Sequence, residues 1–196
     1  MPKFTNLKKI SSKGFTLLET LVAIAIVMLA IGSAFGLVPE GLIGARFAKN
    51  QTTATYLVQE AMEEVHNLRD NTMFFSANPS DPLNWLSALS ACIDKLCTID
   101  AVSGSVQACS TKCPPMDVRL DDSGSIIYSS HTNIANPSNA PSIFTREITI
   151  KKINNATIGR DDTEAQLTAR VRWDEGSVTK TTEMKETLFD WWTFNK

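Results

Sequence analysis

The N-terminal part of the chain shows a long apolar pattern with a single interruption. From Phe15 to Val38 the residues are apolar or small, and Glu19 is the only charged one among them. At about 1.5 Å of rise per residue, a helix of this length crosses the roughly 30 Å hydrocarbon core of a bilayer. The pattern therefore predicts a transmembrane helix over residues 15–38.

A helical pattern with one polar side continues beyond this segment. Its apolar side consists of Leu57, Ala61, Val65 and Leu68. This spacing predicts an amphipathic stalk over residues 39–70 that ends at Asp70-Asn71. Pro39 predicts a kink or local unwinding, because proline removes one backbone hydrogen bond and clashes with the preceding turn. The alternative is that Pro39 only marks the membrane boundary.

The third pattern, strand-like alternation, occupies residues 115–196. It predicts a hairpin with its turn at residues 121–124 and a meander of three further strands. The five strands are Met116–Leu120, Ser125–Tyr128, Phe144–Ile153, Gln166–Trp173 and Val178–Leu188. The inward residues of the fourth strand are Leu167, Ala169, Val171 and Trp173. The aromatic end, residues 189–194, is expected to cover the sheet edge or the helix, with a subunit or ligand contact as the alternative. The fold class is therefore α+β, a long N-terminal helix packed on a C-terminal antiparallel sheet.

Between the stalk and the strands, residues 71–114 are rich in Ser, Asn, Asp and Pro and contain all four cysteines. These are Cys92, Cys97, Cys109 and Cys113. Two disulfides are expected, because the spacings differ from those of zinc ribbons and no histidine lies close by. Zinc binding and free thiols are the alternatives, and all three disulfide pairings remain open. The region is predicted to be a disulfide-linked loop without a core of its own. A long loop of this kind is a candidate binding surface.

The charges of the chain are unevenly distributed. Four lysines lie within the first fourteen residues: Lys3, Lys8, Lys9 and Lys13. The remainder carries 15 basic and 21 acidic residues, although the formal net charge of the whole chain is only -2. The asymmetry predicts a cytoplasmic N-terminus and a head outside the cell membrane. An acidic head argues against strong nucleic-acid binding, despite a basic strip of Lys151, Lys152, Arg170 and Arg172.

We find no catalytic motif in the sequence and expect no enzyme activity, cofactor or metal site. His66 and His131 are isolated, and the adjacent Glu63 and Glu64 point about 100° apart on a helix. The acidic clusters at residues 121–122 and 161–164 are read as solvated turns, with calcium binding as the alternative. The segment Asn155-Ala156-Thr157 matches a glycosylation acceptor only weakly.

The N-terminal segment Lys13-Gly14-Phe15-Thr16-Leu17-Leu18-Glu19 resembles the class III leader of type IV prepilins. This resemblance implies that prepilin peptidase removes the leader, residues 1–14, between Gly14 and Phe15 and methylates the new amine of Phe15. It also implies that Glu19 assists assembly by pairing with the Phe15 amine of a neighbouring subunit. One alternative is a cleaved secretory signal, but the apolar run is long for such a signal and only a poor cleavage site follows it. The other is a plain membrane anchor, which does not explain Glu19 unless this residue lies at the membrane edge and stays hydrated.

The helix over residues 54–65 is similar to that of V-type minor pilins and of I-type pseudopilins of type II secretion. The likeness implies a structural subunit that lies in the lipid bilayer first and then enters a periplasmic or extracellular filament. Its implied partners are other pilin or pseudopilin subunits, met through the N-terminal helix, and the inner-membrane assembly machinery. A filament-tip adhesin or DNA-uptake subunit is one alternative. An unrelated single-span anchor protein is the other.

Overall fold

The computed structural model describes residues 14–75, 84–121, 123–130, 140–153 and 163–191. The chain forms two compact units, Met1–Arg46 and Phe47–Lys196. The first contains the apolar start of a helix, and the second contains the rest of that helix together with the sheets. The leader before Gly14 lies outside the described residues.

One α-helix, α1, spans Leu17–Phe75. It contains Pro39 without a break in the helical assignment, so the predicted local unwinding is absent here. Proline removes only one hydrogen bond, and the turns on either side are complete; a kink at this residue stays a prediction. The predicted end at Asp70-Asn71 is wrong by a little over one turn. Asn71 donates to the Asn67 side chain at 3.0 Å, and Met73 is buried in the head, so packing continues past residue 71.

The first unit is an apolar helical segment without a protein core. Every described side chain between residues 14 and 46 is exposed. Among the described residues, α1 is the one helix long and apolar enough to cross a membrane, with a mean hydropathy of 2.7 in its most apolar window. Exposed apolar surface of this extent requires lipid or another protein around it. The segment fits a single-pass membrane anchor.

The second unit places α1 against a five-stranded antiparallel sheet of strand order β2-β1-β6-β7-β8. A smaller sheet has the order β4-β3-β5, and a 3-10 helix spans Asn84–Cys92. The strands are β1 Cys97–Asp100, β2 Ser105–Ala108, β3 Asp117–Leu120, β4 Ile126–Ser129, β5 Ala140–Pro141, β6 Phe144–Lys152, β7 Glu164–Glu175 and β8 Val178–Phe189. The α+β prediction is confirmed, and all five predicted strands are present with ends within two residues.

The core lies between the helix and one face of the sheet. The predicted inward residues of β7 are all buried, from Leu167 to Trp173. They face the buried side of the stalk, to which Val58, Ala61 and Val65 contribute. Helix and sheet thus bury the two apolar faces that the period-3.6 and period-2 patterns predicted.

A buried arginine, which the sequence pattern did not predict, joins three elements of the head. Arg146 on β6 is 1% exposed. Its Nη1 donates to the Leu57 carbonyl at 3.2 Å and to Glu60 Oε2 at 2.5 Å, and its Nη2 donates to the Ile99 carbonyl at 2.5 Å. Because the bonded groups lie on α1 and β1, this one side chain connects the stalk, the central strand and the cysteine-containing region.

The aromatic end of the chain contacts the helix where it is described. Trp191 Nε1 donates to Asp70 Oδ1 at 3.4 Å, and its ring meets the Phe74 ring edge-on with centroids 5.6 Å apart. The prediction that this segment covers the helix is confirmed for Trp191. Residues 192–196 lie outside the described part of the chain.

Candidate functional site

The candidate assembly site is the start of α1. Thr16 precedes the first helical residue, and its Oγ1 accepts a hydrogen bond from the Glu19 backbone N–H at 3.3 Å. The Thr16 carbonyl accepts the N–H groups of Glu19 and Thr20 at 3.0 and 3.2 Å. Thr16 is therefore the N-cap, and Thr16-Leu17-Leu18-Glu19 has the spacing of a capping box. The T-x-x-E spacing before an apolar run is the sequence signal for this role, which was not among the predictions above.

Phe15 and Glu19 are both accessible at this helix start. The Phe15 side chain is 77% exposed, and the Glu19 side chain is also exposed. A carboxylate in the first helical turn interacts favourably with the positive end of the helix dipole. Glu19 thus has a local role in its own helix and remains available to a positive charge from another molecule. The structure places Gly14 and Phe15 immediately before the capped turn.

The cysteine region is a packed part of the head. The disulfides are Cys92–Cys97 and Cys109–Cys113, so local pairing is selected from the three possibilities and the zinc alternative is wrong. Cys92 and Cys97 are completely buried, and their bridge joins the 3-10 helix to β1. The expectation of a loop without a core is therefore wrong. Residues from this region that enter the main core are Trp85, Leu86, Leu89 and Ile99.

Comparison with known proteins locates a family pattern at the helix start. A family model described as the prokaryotic N-terminal methylation motif matches residues 10–35. The chain therefore carries a type IV prepilin-like N-terminus. The matched range includes Gly14, Phe15 and Glu19 and most of the apolar segment, but none of the head. No curated protein and no solved structure shows significant similarity to the chain.

The two arginines of the predicted basic strip are ion-paired on the sheet. Arg170 pairs with Glu183 at 2.5 Å, and Arg172 pairs with the buried carboxylate of Glu147. Lys185 also approaches Glu183, at 3.0 Å. Hydrogen bonds from Lys185 and Arg170 lower the pKa of Glu183 below its usual value. Because these two arginines are already paired with carboxylates, they offer little free positive charge to a phosphate backbone.

Two further sequence expectations concern histidine and calcium. His66 is not isolated, because its Nε2 lies 3.1 Å from Glu186 Oε2 on β8 and links stalk to sheet. Asp121 closes its own hairpin turn by accepting the backbone N–H groups of Ser123 and Ser125 at 2.9 and 2.7 Å. The Ser123 hydroxyl and these N–H groups lower the pKa of Asp121.

Several residues singled out in the sequence lie outside the described part of the chain. These are His131, Asp122, residues 161–162 and the acceptor pattern at residues 155–157. Within the described residues, no group of three or more His, Cys, Asp or Glu side chains has an arrangement that would hold a metal ion.

The two disulfides of the head are expected to differ in their rate of reduction. Thiolate attack requires access to a sulfur atom, and both sulfur-bearing side chains of Cys92–Cys97 are completely buried, whereas Cys109 is half-buried. Brief treatment of the folded protein with dithiothreitol, alkylation and peptide mass spectrometry should label Cys109 and Cys113 first. Equal labelling of all four cysteines in native buffer would contradict the buried position of the first bridge, whereas equal labelling in denaturant is the expected control result.

Proposed function

We propose that this chain is a minor pilin or pseudopilin, a structural subunit of a type IV pilus or a type II secretion-like filament. The observation that carries the proposal is the combination at the helix start: a Gly-Phe junction, a capped first turn and one carboxylate at the head of a fully exposed apolar segment. An exposed apolar helix of this kind needs lipid first and neighbouring helices later. In this role the chain is a structural component rather than an enzyme.

The proposed division of the chain follows from this role. Residues 1–14 are the leader that prepilin peptidase removes, and residues 15–38 are the assembly helix. The stalk follows and enters the head, which comprises the cysteine region and the sheets. The N-terminus faces the cytoplasm and the head faces outward before assembly, because four lysines precede the apolar segment.

Assembly through Glu19 follows from the electrostatics of the processed helix. Cleavage after Gly14 leaves a positively charged amine on Phe15, at the end of an apolar segment that becomes buried when subunits pack. A buried charge without a partner is costly, and Glu19 is the only acidic residue between Phe15 and Pro39. Pairing of the amine with Glu19 of a neighbour removes this cost and sets the axial offset between the two subunits.

The alternative of a tip adhesin or DNA-uptake subunit receives less support. It relied on an open cysteine loop and a basic strip. The first disulfide is buried in the core, and the two arginines of the strip are ion-paired. Assembly is therefore better supported than ligand binding as the role of this chain.

Co-expression with a prepilin peptidase tests the proposal. We expect the intact mass to correspond to a chain that starts at Phe15 and carries one added methyl group. A Gly14→Val variant should keep residues 1–14, because the bulky side chain blocks the junction, and it serves as the uncleaved mass standard. A parent chain that also retains its leader in the presence of active peptidase would overturn the proposal and favour a plain membrane anchor.

A further inference from the structure

The outer strand β8 leaves one long edge of the main sheet unpaired. It pairs with β7 through twelve consecutive residues without a bulge, and Val178–Phe189 contains no proline or glycine. In an antiparallel strand every second residue directs both its N–H and its C=O to the same side, so about six residues of β8 direct these groups away from β7. Within the described residues no backbone hydrogen bond reaches this side of β8. The strand is therefore an open template for one more strand.

The other described edges of the two sheets are shorter. β2 and β4 have four residues each, and β5 has two. β2 also runs in the same direction as β8, because four antiparallel steps separate them in the sheet. Two copies of the chain side by side in one orientation would thus pair over at most four residues, in a parallel ladder. A second copy in that arrangement does not match the twelve-residue edge.

Charged side chains do not block this edge, although charges on an edge strand commonly prevent pairing. β8 contains four charged residues, and each has a partner within the head. The pairs are Lys180 over the ring of Phe47, Glu183 with Arg170 and Lys185, and Glu186 with His66. These side chains are held on the two faces of the sheet, and the backbone edge between the faces stays accessible.

A cavity of about 660 Å³ lies at this edge, between β8 and the stalk. Met184, Lys185 and Glu186 all line it. Because consecutive strand residues point to opposite faces, a cavity that touches three in a row lies along the edge of the strand rather than under the sheet. On the stalk side it is lined by Met62 and His66, one helical turn apart. The two methionines give the cavity apolar walls that adapt to different side chains.

The rim of the cavity carries one unpaired charge. Glu63 lines the cavity and is exposed, and within the described part of the chain its carboxylate has no hydrogen bond or ion pair. The charges across the cavity, on Lys185 and Glu186, are already paired. A partner that carries a basic side chain beside apolar ones would match the cavity in charge as well as in polarity.

We propose that β8 and the adjoining cavity bind an extended segment of another protein, which adds to the main sheet as a sixth strand. Its backbone pairs with the free edge, and one of its apolar side chains enters the cavity between Met62 and Met184. A basic side chain of the segment pairs with Glu63. Main-chain hydrogen bonds supply the affinity in this mode of recognition, and the pocket supplies the specificity. The proposal goes beyond the assembly role and does not depend on cleavage at Gly14.

Binding of a designed peptide to the full-length chain in detergent micelles tests the proposal. The probe is a fluorescein-labelled peptide of about seven residues, a usual strand length, in which valine and threonine alternate between terminal lysines. Two N-methylated versions, one modified at every valine and the other at every threonine, each lose the N–H groups of one edge. By fluorescence anisotropy, one version should bind about as well as the parent peptide and the other about tenfold more weakly. Equal binding of both versions, or no binding of the parent peptide, overturns the proposal.

Two lysine substitutions locate the binding site. Met184→Lys places a charge in the cavity and should weaken binding of the parent peptide by about tenfold. Val178→Lys is the matched control, because Val178 is also exposed and lies on the same face of β8 but outside the cavity. It should change binding by less than about twofold. An equal loss in the two variants would contradict a site at the cavity.

The oligomeric state of the chain separates another protein from a second copy as the occupant. A parent chain that is monomeric in micelles and binds the peptide supports the proposal. A parent chain that is dimeric, and that becomes monomeric with Met184→Lys, would assign the edge to a second copy paired through its own β8. That result would overturn the proposal.

Discussion

Replacement of Arg146 by alanine is expected to lower the free energy of unfolding of the head by about 3 kcal/mol. The substitution leaves a cavity in the core and removes one of the two hydrogen bonds to the Ile99 carbonyl, which also accepts from Ser130 Oγ at 2.7 Å. It also removes the side chain that donates to both the Leu57 carbonyl of the stalk and the Ile99 carbonyl of β1. Chemical denaturation followed by far-UV circular dichroism measures the change.

Arg170→Ala is the matched control for this experiment. Arg170 has the same charge and also pairs with a glutamate, but its side chain is 42% exposed on the outer face of the sheet. Exposed pairs contribute about 0–1 kcal/mol, so this variant should change the unfolding free energy by less than 1 kcal/mol. An equal decrease in the free energy of unfolding for both variants would contradict the role of Arg146 in connecting the stalk, β6 and β1.

Substitution of Glu19 by glutamine is expected to reduce incorporation into filaments by roughly a hundredfold, about 3 kcal/mol, because the buried amine of Phe15 loses its counter-charge. Cleavage at Gly14 should be unaffected, since the substitution leaves the junction intact. The measurement compares the amount of processed chain in sheared filaments with the amount in the membrane fraction.

Glu19 occupies the last position of the capping-box spacing, so the experiment requires a control that separates its charge from the stability of the helix start. Glutamine still fits a capping box, so Glu19→Gln removes the charge and keeps the cap. Thr16→Ala does the reverse, because it removes the Oγ1 acceptor and retains the carboxylate. Assembly that depends on the charge should be far more sensitive to Glu19→Gln than to Thr16→Ala. The opposite order would assign the effect to the start of the helix and contradict the ion-pair proposal.

The spacing of apolar residues along the sequence was sufficient to predict the stalk helix and the long strands of the sheet. The stalk has its apolar side at Leu57, Ala61 and Val65, and β7 alternates over its full length, so one buried face of each followed directly from the sequence. The hairpin of β3 and β4 was also predicted, because Asp121 and Gly124 provide recognisable turn chemistry.

The remaining features depend on contacts that are distant in sequence. β1 is only four residues long and follows a polar segment, and its burial arises from pairing with β2 and β6. Arg146 lies at an inward position in the alternating pattern of β6. A charged side chain would not be predicted at a buried position unless its three hydrogen-bond acceptors were known. Likewise, α1 contributes buried residues to the core from Ala54 to Met73, and the last of these lies beyond Asn71, where the sequence pattern predicted the end of the helix.

The shared helix has a mechanical consequence. Within the head, α1 is part of the core from Ala54 onward, so a force applied along this part of the helix acts on packed side chains. Such a force acts in shear between the helix and the sheet, and all buried contacts between them resist it at once. The hydrogen bonds from Arg146 to Leu57 and Glu60 are among these contacts. The tensile strength of a fibre built from such subunits would then depend on the packing inside each head as much as on the contacts between neighbours.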